Sequence, residues 1–540
     1  MSRQDSTPEH HEIIIIGAGV CGIYQLYRMV ELGIDTKVLE GGDDLGGTWY
    51  WNRYPGARFD SESHSYSYSF SKELLQEWDW SEHFAAQPET LRYLNHVAEK
   101  FDLRQHMEFG CRVKSAAFDD DACLWTLTLE DDRQYTCHIL LTAIGMLSAA
   151  TLPRIEGVES FAGQSFHTYY SPQEPVDYAD KRVAVIGTGA TGVQVIAELA
   201  DKVGRLTVYQ RRPNWCAPLK NAPVTPEEQE RLKGSYDDIF RRCGETPGGF
   251  LHGPVRLNST DVSREERLKF WEELYDSPGF GIWLGNYRDV LMDEEANAEF
   301  SEFIADKIRQ RVTDPDIAEK LIPKDHGFGT RRVPMETSYY EAYNRDNVEL
   351  VDVNDTPIEA ITEKGIRTSD REREFDIIIY ATGFDAITGA FDRIDFTGTN
   401  GEKLFDKWKD GPVTFLGVQT HAFPNMMTLA GPQSASVSSN FPRAIEAVVD
   451  WATAFIVYLR EHGYTRFEPT ENAESAWLKY VEAGYEGLLL SKTKSWFTGY
   501  NSNVDGHDKF RMQIYLGHQH TYMARLRHVA ENAYEGISLR

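Results

Sequence analysis

The chain has 540 residues and a net charge of −28, from 56 Lys and Arg against 84 Asp and Glu. At about 150 residues per domain this length predicts two to four domains, and a hydrophobic content of 41% argues against wholesale disorder. The acidic excess argues against a nucleic-acid-binding protein, which needs a net basic surface.

The first predicted element is a strand. Residues 12–16 form an apolar run that is typical of a strand buried on both faces. A glycine-rich turn follows at residues 17–22, then a helical pattern over residues 23–32 and a second strand over residues 36–40. This order of elements predicts a β-α-β unit.

The same order returns later in the chain. A second strand, glycine-rich turn, helix and strand are predicted over residues 182–186, 187–192, 193–200 and 206–210. Two more apolar strands that run into a glycine are predicted at residues 139–145 and 377–383.

A long stretch of helical character separates the second unit from the last predicted strand. The acidic run at residues 293–295 suits a helix N-terminus. One face of the following helix collects the apolar side chains of Phe300, Phe303, Ile304, Ile308 and Val312. We therefore predict a helical insertion over residues 218–328.

Each glycine-rich turn has the spacing G-x-G-x-x-G, which is weak evidence alone but stronger between a strand and a helix. The first glycine permits the tight turn, the second lets the backbone approach a pyrophosphate, and the third allows close packing. These are Gly17, Gly19 and Gly22 in the first turn, and Gly187, Gly189 and Gly192 in the second. A pyrophosphate would lie at the helix N-terminus, although two ordinary strand-to-helix turns are the alternative.

The ends of the second strands distinguish the two ligands. Glu40 follows Gly17 by 23 positions, and Gln210 follows Gly187 by 23 positions. A carboxylate suits the free ribose of FAD or NAD and would repel a 2′-phosphate. Arg211 and Arg212, next to Gln210, offer planar donors to that phosphate and favour NADP, unless they are an ordinary solvated patch.

Two dinucleotide sites in one chain imply hydride transfer from NADPH to a bound FAD. We therefore predict an α/β protein with two Rossmann-like domains. The FAD-binding domain is predicted at residues 1–146 and 389–540, and the NADP-binding domain at residues 147–217 and 329–388. The helical insertion belongs to neither sheet.

Residues 1–12 lack the order of a signal peptide, and the apolar residues 13–24 are too few to span a bilayer. The six cysteines form no C-x-x-C pair, which argues against disulfide reduction and a zinc site. We therefore expect a cytoplasmic enzyme with no metal, whose reduced flavin reacts with dioxygen.

Longer motifs are similar to those of the Baeyer–Villiger monooxygenases. Residues 46–60 resemble the aromatic loop of this family, and Phe161, Gly163 and His167 lie in a segment that resembles its fingerprint. Three further segments, at residues 339–347, 381–385 and 495–499, extend the resemblance over nearly the whole chain.

Two positions depart from the family pattern. Ser171 stands where the fingerprint has a tryptophan, and Pro172 follows it. Residues 503–507 replace a Pro-Gly-Lys turn of a mobile loop, so that the basic residue there is lost or replaced by His507.

The resemblance implies that NADPH reduces FAD, that a flavin peroxide forms with dioxygen, and that it attacks a ketone to give an ester or lactone. It assigns Arg332 as the catalytic arginine and Asp60 as the acid that pairs with it. Arginine suits this role because it stays charged where water is excluded and can stabilise an oxyanion. Arg331 matches a position that helps to bind the 2′-phosphate.

The resemblance also implies a conformational role for His167 and a substrate pocket that includes Met146 and residues 434–441. The further residues that it assigns to the FAD site are Gly47, Thr48, Trp49, Asp60, Tyr66 and Val113. Those that it assigns to the NADP site, besides the glycines and arginines, are Thr188, Thr191 and Trp496.

Two alternatives stay open. An N- or S-hydroxylating flavin monooxygenase would share the glycine turns but would not need Arg332 beside the flavin. A flavoprotein that binds nucleotide as a structural module would consume no NADPH. We expect a small-molecule ketone and dioxygen as reactants, no nucleic-acid or membrane partner, and a monomer or weak homo-oligomer.

Overall fold

The computed structural model describes residues 8–540. Residues 1–7 belong to the segment that is predicted to lack the order of a signal peptide, and they lie outside the described residues. The first region of the chain contains β1 (Glu9–Ile16), α1 (Val20–Glu31), β2 (Thr36–Leu39), α2 (Thr48–Trp51), α3 (Ser63–Tyr66), α4 (Lys72–Glu77), α5 (Gln87–Lys100), β3 (Met107–Glu108), β4 (Val113–Asp119), β5 (Leu124–Leu129) and β6 (Gln134–Thr142).

The central region holds two groups of elements. Up to the end of the insertion these are β7 (Gln164–His167), β8 (Arg182–Ile186), α6 (Ala190–Leu199), β9 (Arg205–Gln210), β10 (Ala217–Pro218), α7 (Pro226–Glu245), α8 (Arg264–Asp276), α9 (Gly281–Leu284), α10 (Glu294–Arg311) and α11 (Pro315–Leu321). After it follow β11 (Met335–Glu336), α12 (Tyr339–Ala342), β12 (Val348–Asp352), β13 (Ile358–Ile361), β14 (Gly365–Thr368), β15 (Glu372–Glu374) and β16 (Ile377–Tyr380).

The last region returns to the first sheet and adds a helical layer. Its elements are β17 (Asp395–Thr397), α13 (Leu404–Trp408), β18 (Met426–Thr428), α14 (Phe441–His462), β19 (Phe467–Pro469), α15 (Glu471–Ala483), α16 (Gln519–Glu531) and β20 (Ile537–Leu539). Within residues 8–540, no helix combines the length and the apolar character that crossing a membrane requires.

The first sheet has the strand order β17-β4-β5-β6-β1-β2-β3, with β18 paired to β6. β1 runs parallel to both neighbours, and Ile13 lies opposite Thr36 of β2 and Ile139 of β6. The side chains of residues 13–16 are buried, as predicted for a strand covered on both faces. α1 packs on α14, where the amide of Gln25 donates to the hydroxyl of Thr453 at 3.1 Å.

The second sheet, in the order β12-β9-β8-β16-β7, is parallel throughout. Val183 of β8 lies opposite Leu206 of β9 and Ile377 of β16. The predicted α/β class with two β-α-β units is therefore confirmed. The strands predicted at residues 139–145 and 377–383 end earlier, at Thr142 and Tyr380. The next residue of each strand lies beside a glycine motif, where the backbone N–H of Ala143 donates to the carbonyl of Ile16 at 2.8 Å.

The insertion is helical, as predicted, and contains α7 to α11. Asp293 caps α10 by accepting hydrogen bonds from the backbone of residues 295 and 296. Phe300 and Phe303 of this helix pack on Trp271 of α8 inside the insertion. β10 and β11 pair at its base, so the insertion begins and ends beside the second sheet.

Candidate active site

The first glycine turn has the backbone geometry that a dinucleotide motif requires. Gly17 has a φ of +105°, and a Cβ there would lie 2.6 Å from the carbonyl oxygen of Ala143. A Cβ on Gly22 would lie 1.9 Å from the oxygen of Gly17, so the third glycine is required by the turn itself. α1 begins at Gly19 without a side-chain cap, which leaves backbone N–H groups for a phosphate.

Glu40 lies at the end of β2, beside this turn. Its buried carboxylate accepts hydrogen bonds from the backbone N–H of Ala18 at 2.7 Å and of Gly42 at 2.8 Å. Burial raises the pKa of Glu40, while these bonds and the guanidinium of Arg112 act in the opposite direction. Each oxygen keeps a lone pair for a ribose hydroxyl.

The second turn repeats the first. Gly187 has a φ of +111°, and a Cβ there would meet the carbonyl of Ala381 at 2.4 Å. At Gly189 a Cβ would meet no atom within 4 Å, so the backbone is open to a ligand. α6 starts here without a side-chain cap, with Thr191 in its first turn, and the hydroxyl of Thr188 donates to the carbonyl of Arg212 at 2.9 Å.

The structure brings Arg211, Arg212 and Arg331 together. Burial, and then the charge of Arg212, lower the pKa of Arg211. Burial also lowers the pKa of Arg331, while the charge of Asp325 acts in the opposite direction. Arg331 donates to the carboxylate of Asp325 at 3.1 Å, and Arg212 lies 4.0 Å from the same oxygen. Arg211 instead donates to the hydroxyl of Ser502 at 2.8 Å. Two guanidinium groups thus meet at one carboxylate, with that of Arg211 close enough for its charge to act on Arg331. This cluster of positive charge suits an anion.

Arg332 points away from this cluster, toward Asp60. Its Nη2 donates to Oδ2 of Asp60 at 2.8 Å, and its Nη1 donates to the carbonyl of Val333. The side chain of Asp60 is 5% exposed and that of Arg332 is 28% exposed. Burial raises the pKa of Asp60, and the charge of Arg332 opposes that rise by favouring the carboxylate.

Two aromatic residues of the insertion cover the guanidinium of Arg332. Its Cζ lies 5.0 Å from the ring centroid of Phe280 and 5.7 Å from that of Trp283, in cation–π range. We call Phe280 and Trp283 the aromatic cap. The sequence prediction missed it, although the glycines on both sides of Phe280 mark an unusual turn.

The aromatic loop packs beside Asp60. The indole of Trp49 donates to the hydroxyl of Tyr66 at 3.2 Å, and the ring of Tyr66 stacks on Phe59 at 4.3 Å. Thr48 begins α2, directly after Gly47, which lies against the first glycine turn. Val113 begins β4, and its side chain is buried in the core of the first sheet.

Comparisons with known proteins agree with this geometry. Residues 10–220 match the family model of the flavin-binding monooxygenase-like proteins. The chain is 45% identical to 2-oxo-Δ3-4,5,5-trimethylcyclopentenylacetyl-CoA monooxygenase of Pseudomonas putida over the full length of both. It is 36% identical to a Baeyer–Villiger monooxygenase of Pseudooceanicola batsensis, covering 97% of this chain and 96% of that relative.

A solved structure extends the likeness to the fold. The crystal structure of OTEMO in complex with FAD and NADP superimposes with a TM-score of 0.95, at 44% identity, over 99% of this chain and all of that one. The chain belongs to the Baeyer–Villiger monooxygenases. The predicted family is confirmed, and these relatives favour it over the N- or S-hydroxylating alternative.

In this Baeyer–Villiger monooxygenase the fingerprint histidine is a fixed, neutral group. Nε2 of His167 donates to the carbonyl of Gly383 at 3.1 Å, and Nδ1 accepts from the backbone N–H of Tyr169 at 3.1 Å. Burial lowers the pKa of His167 to about 4. His167 therefore ties β7 to the turn after β16, which supports a conformational role.

The enzyme replaces the fingerprint tryptophan with a short polar connection. Ser171 ends the turn after His167 and donates to the carbonyl of Thr168 at 2.7 Å. Two residues further on, the amide of Gln173 donates to the hydroxyl of Tyr50 in the aromatic loop at 2.7 Å. The linker between the two sheets is thus attached to the aromatic loop by a hydrogen bond.

Residues 495–511, which we call the C-terminal loop, lie against the turn after β16. Trp496 packs in an apolar cluster that includes Met146 and Ile387. His507 is held on both sides of its ring, because its Nδ1 lies 2.9 Å from Asp385 and its Nε2 accepts from Arg511 at 2.7 Å. The other predicted substrate segment, residues 434–441, places Ala435 and Phe441 in the core around α1 and α14.

Proposed function

We propose that the chain is an FAD- and NADPH-dependent monooxygenase that inserts one oxygen atom of dioxygen beside a ketone carbonyl, forming an ester or lactone. The observation that carries this proposal is the pair of the buried Asp60 and the half-buried Arg332 beneath the aromatic cap. A permanent cation that is fixed in position, and partly shielded from water, is what stabilises negative charge developing on oxygen.

The residues around the first turn fit FAD. The uncapped start of α1 and the free acceptor capacity of Glu40 suit a pyrophosphate and a ribose. We propose that Gly17, Gly19, Gly22 and Glu40, with the aromatic loop residues and Tyr66, hold this cofactor. When bound, FAD accepts a hydride from NADPH and activates dioxygen.

The residues around the second turn fit NADPH. The open backbone at Gly189 leaves room for a pyrophosphate, and Arg211, Arg212 and Arg331 supply charge-assisted donors for a 2′-phosphate. Thr188, Thr191 and Trp496 are the further contacts that we propose. The link between Arg211 and Ser502 implies that coenzyme binding also orders the C-terminal loop.

In the proposed mechanism Arg332 acts as the catalytic residue and Asp60 orients it. Arg332 uses separate guanidinium nitrogens for Asp60 and for the carbonyl of Val333, so its plane is held in two directions. The aromatic cap covers one face of the guanidinium and keeps water from it. The attraction between this charge and the carbonyl oxygen of the ketone is therefore stronger than it would be in water. The charge of Arg332 favours the ionised form of Asp60, because a guanidinium does not lose its proton in proteins.

The remaining proposals concern the domain limits, the cellular location and the oligomeric state. The first sheet takes its strands from residues 9–142 and 395–428, and the second from residues 164–210 and 348–380, which supports the predicted FAD and NADP domain limits. Six free cysteines suit a reducing cytoplasm. A monomer or weak homo-oligomer stays a prediction.

The test is product analysis. Purified enzyme with FAD and NADPH is incubated with cyclic, linear and aryl ketones under labelled dioxygen, and the products are identified by mass spectrometry. We expect an ester or lactone that carries one labelled oxygen atom. Oxidation of amines and sulfides only, with no ester from any ketone, would overturn the proposal.

A further inference from the structure

A second buried pair lies next to the aromatic cap. Nε2 of His252, in the insertion, lies 2.6 Å from Oε1 of Glu62, whose side chain is 11% exposed. Burial would raise the pKa of Glu62, but the hydrogen bond from His252 brings it below its ordinary value. The pair therefore joins an ionised carboxylate to an imidazole across 190 residues of sequence.

This pair lies beside the turn that carries the aromatic cap, with too little space between them for added side chains to be free of contact. A Cβ on Gly279 would lie 3.3 Å from Oε1 of Glu62, and a Cβ on Gly281 would lie 3.4 Å from Nδ1 of His252. These two glycines stand on either side of Phe280. The backbone that presents Phe280 to Arg332 thus lies beside the Glu62–His252 pair, with Phe84 and Ser277 as its other neighbours.

Residues 60–62 contain the partners of both Arg332 and His252. Asp60 binds the guanidinium of Arg332 at 2.8 Å, and Glu62, two residues later, binds His252. Phe280 and Trp283 then pack on the guanidinium from the insertion side. Arg332 therefore lies between the carboxylate of Asp60 and a cap whose turn lies beside Glu62.

We infer that Glu62 and His252 are positioning residues, which act through the aromatic cap to hold Arg332 in its catalytic orientation. The inference rests on the proposed function of Arg332. A small displacement of a catalytic group can cost about 100-fold in rate. Loss of the pair should therefore affect oxygenation more than folding or FAD binding.

Three variants of the full-length holoenzyme separate this role from a structural one. His252→Ala removes the hydrogen bond to Glu62, whereas His252→Gln keeps a donor at nearly the same place. His83→Ala is the matched control, because His83 forms a similar pair with Glu228 at 3.0 Å. If His252→Ala fails to fold, His252→Asn replaces it, since its shorter side chain also falls short of Glu62.

The first measurement needs no turnover. Phenylglyoxal labels arginines, and mass spectrometry of peptides follows Arg332, with Arg267 as an internal reference. Arg267 lies in the insertion, is 17% exposed and pairs with Glu299 at 3.0 Å. Loss of its cation–π contacts should make Arg332 label about 2- to 5-fold faster in His252→Ala, while His252→Gln and His83→Ala should match the wild type.

The second measurement follows the fate of oxygen. In His252→Ala we expect an unchanged FAD content and rate of FAD reduction, but about 10- to 100-fold less ester per NADPH, with hydrogen peroxide in its place. His252→Gln should recover most of the ester. Unchanged labelling of Arg332 together with wild-type ester yield in His252→Ala would overturn the inference.

The two proposals fail in different ways. A wild-type enzyme that forms no ester from any ketone would overturn the proposed function, while the labelling of Arg332 would still test the contact through the cap. An equal loss of ester in His83→Ala and His252→Ala would show a general effect of the insertion and would overturn the positioning role.

Discussion

Replacement of Arg332 by alanine tests the centre of the proposed chemistry. The change removes the guanidinium that binds Asp60 at 2.8 Å and that both rings of the aromatic cap cover. Loss of one preorganised electrostatic stabiliser costs about 2.7–4 kcal/mol in the transition state, or roughly 100- to 1,000-fold in rate. We expect Arg332→Ala to bind FAD and to be reduced by NADPH, but to form almost no ester.

The same change has a second effect, on Asp60. Without Arg332 its buried carboxylate loses the main charge that opposes burial and keeps only the weaker effect of Arg58, so its pKa rises further and protonation is favoured. Asp60→Asn in the Arg332→Ala background should therefore change stability little, whereas Asp60→Asn alone should weaken the position of Arg332. Arg332→Lys keeps the charge but cannot reach Asp60 and the carbonyl of Val333 together, and should retain part of the activity.

The assay measures NADPH consumption, ester and hydrogen peroxide in one reaction, with stopped-flow spectra of FAD reduction. Arg267→Ala, which removes a paired arginine elsewhere in the insertion, is the control. Ester formation by Arg332→Ala at a rate near that of the wild type would show that another residue holds the negative charge, and the reasoning from this geometry would be refuted.

Three further predictions concern the coenzyme site and the fingerprint. Arg211→Ala should weaken NADPH binding by about 10- to 100-fold and leave NADH almost unchanged; equal weakening of both in binding titrations would contradict the assignment. Asp325→Asn should tighten NADPH binding by about 2- to 5-fold, because its carboxylate competes with a 2′-phosphate for Arg331 and Arg212; weaker binding in the same titration would contradict this. Burial lowers the pKa of His167 to about 4 from 6.5. The stability that the neutral imidazole contributes to the folded state is therefore complete above pH 6.5 and is lost as the pH falls through about 4. This loss amounts to about 3 kcal/mol of the free energy of unfolding. Melting temperatures between pH 7.5 and pH 4 should therefore fall less steeply in His167→Gln, and parallel curves would contradict the assigned cause.

The two nucleotide sites could be predicted from the sequence because their requirements are local. The positive φ of Gly17 and the lack of room for a Cβ on Gly22 arise within six residues of chain, and the buried strands before the turns are continuous apolar runs. The contrast between Glu40 and Arg211 lies at matched positions after each turn. Strand, turn, helix and ligand preference are all encoded at short range.

The surroundings of Arg332 could not be predicted from the sequence in the same way. Asp60 and Arg332 are assigned only by family resemblance, since 272 residues separate them and only tertiary packing brings them together. Phe280 and Trp283 look like ordinary core aromatics, and Glu62, His252 and Asp325 look like ordinary polar residues. Which of these meet depends on how the insertion packs against the aromatic loop, a contact between distant segments that no local pattern records. The sequence alone determined the two cofactor folds, whereas tertiary packing decided what surrounds the catalytic charge.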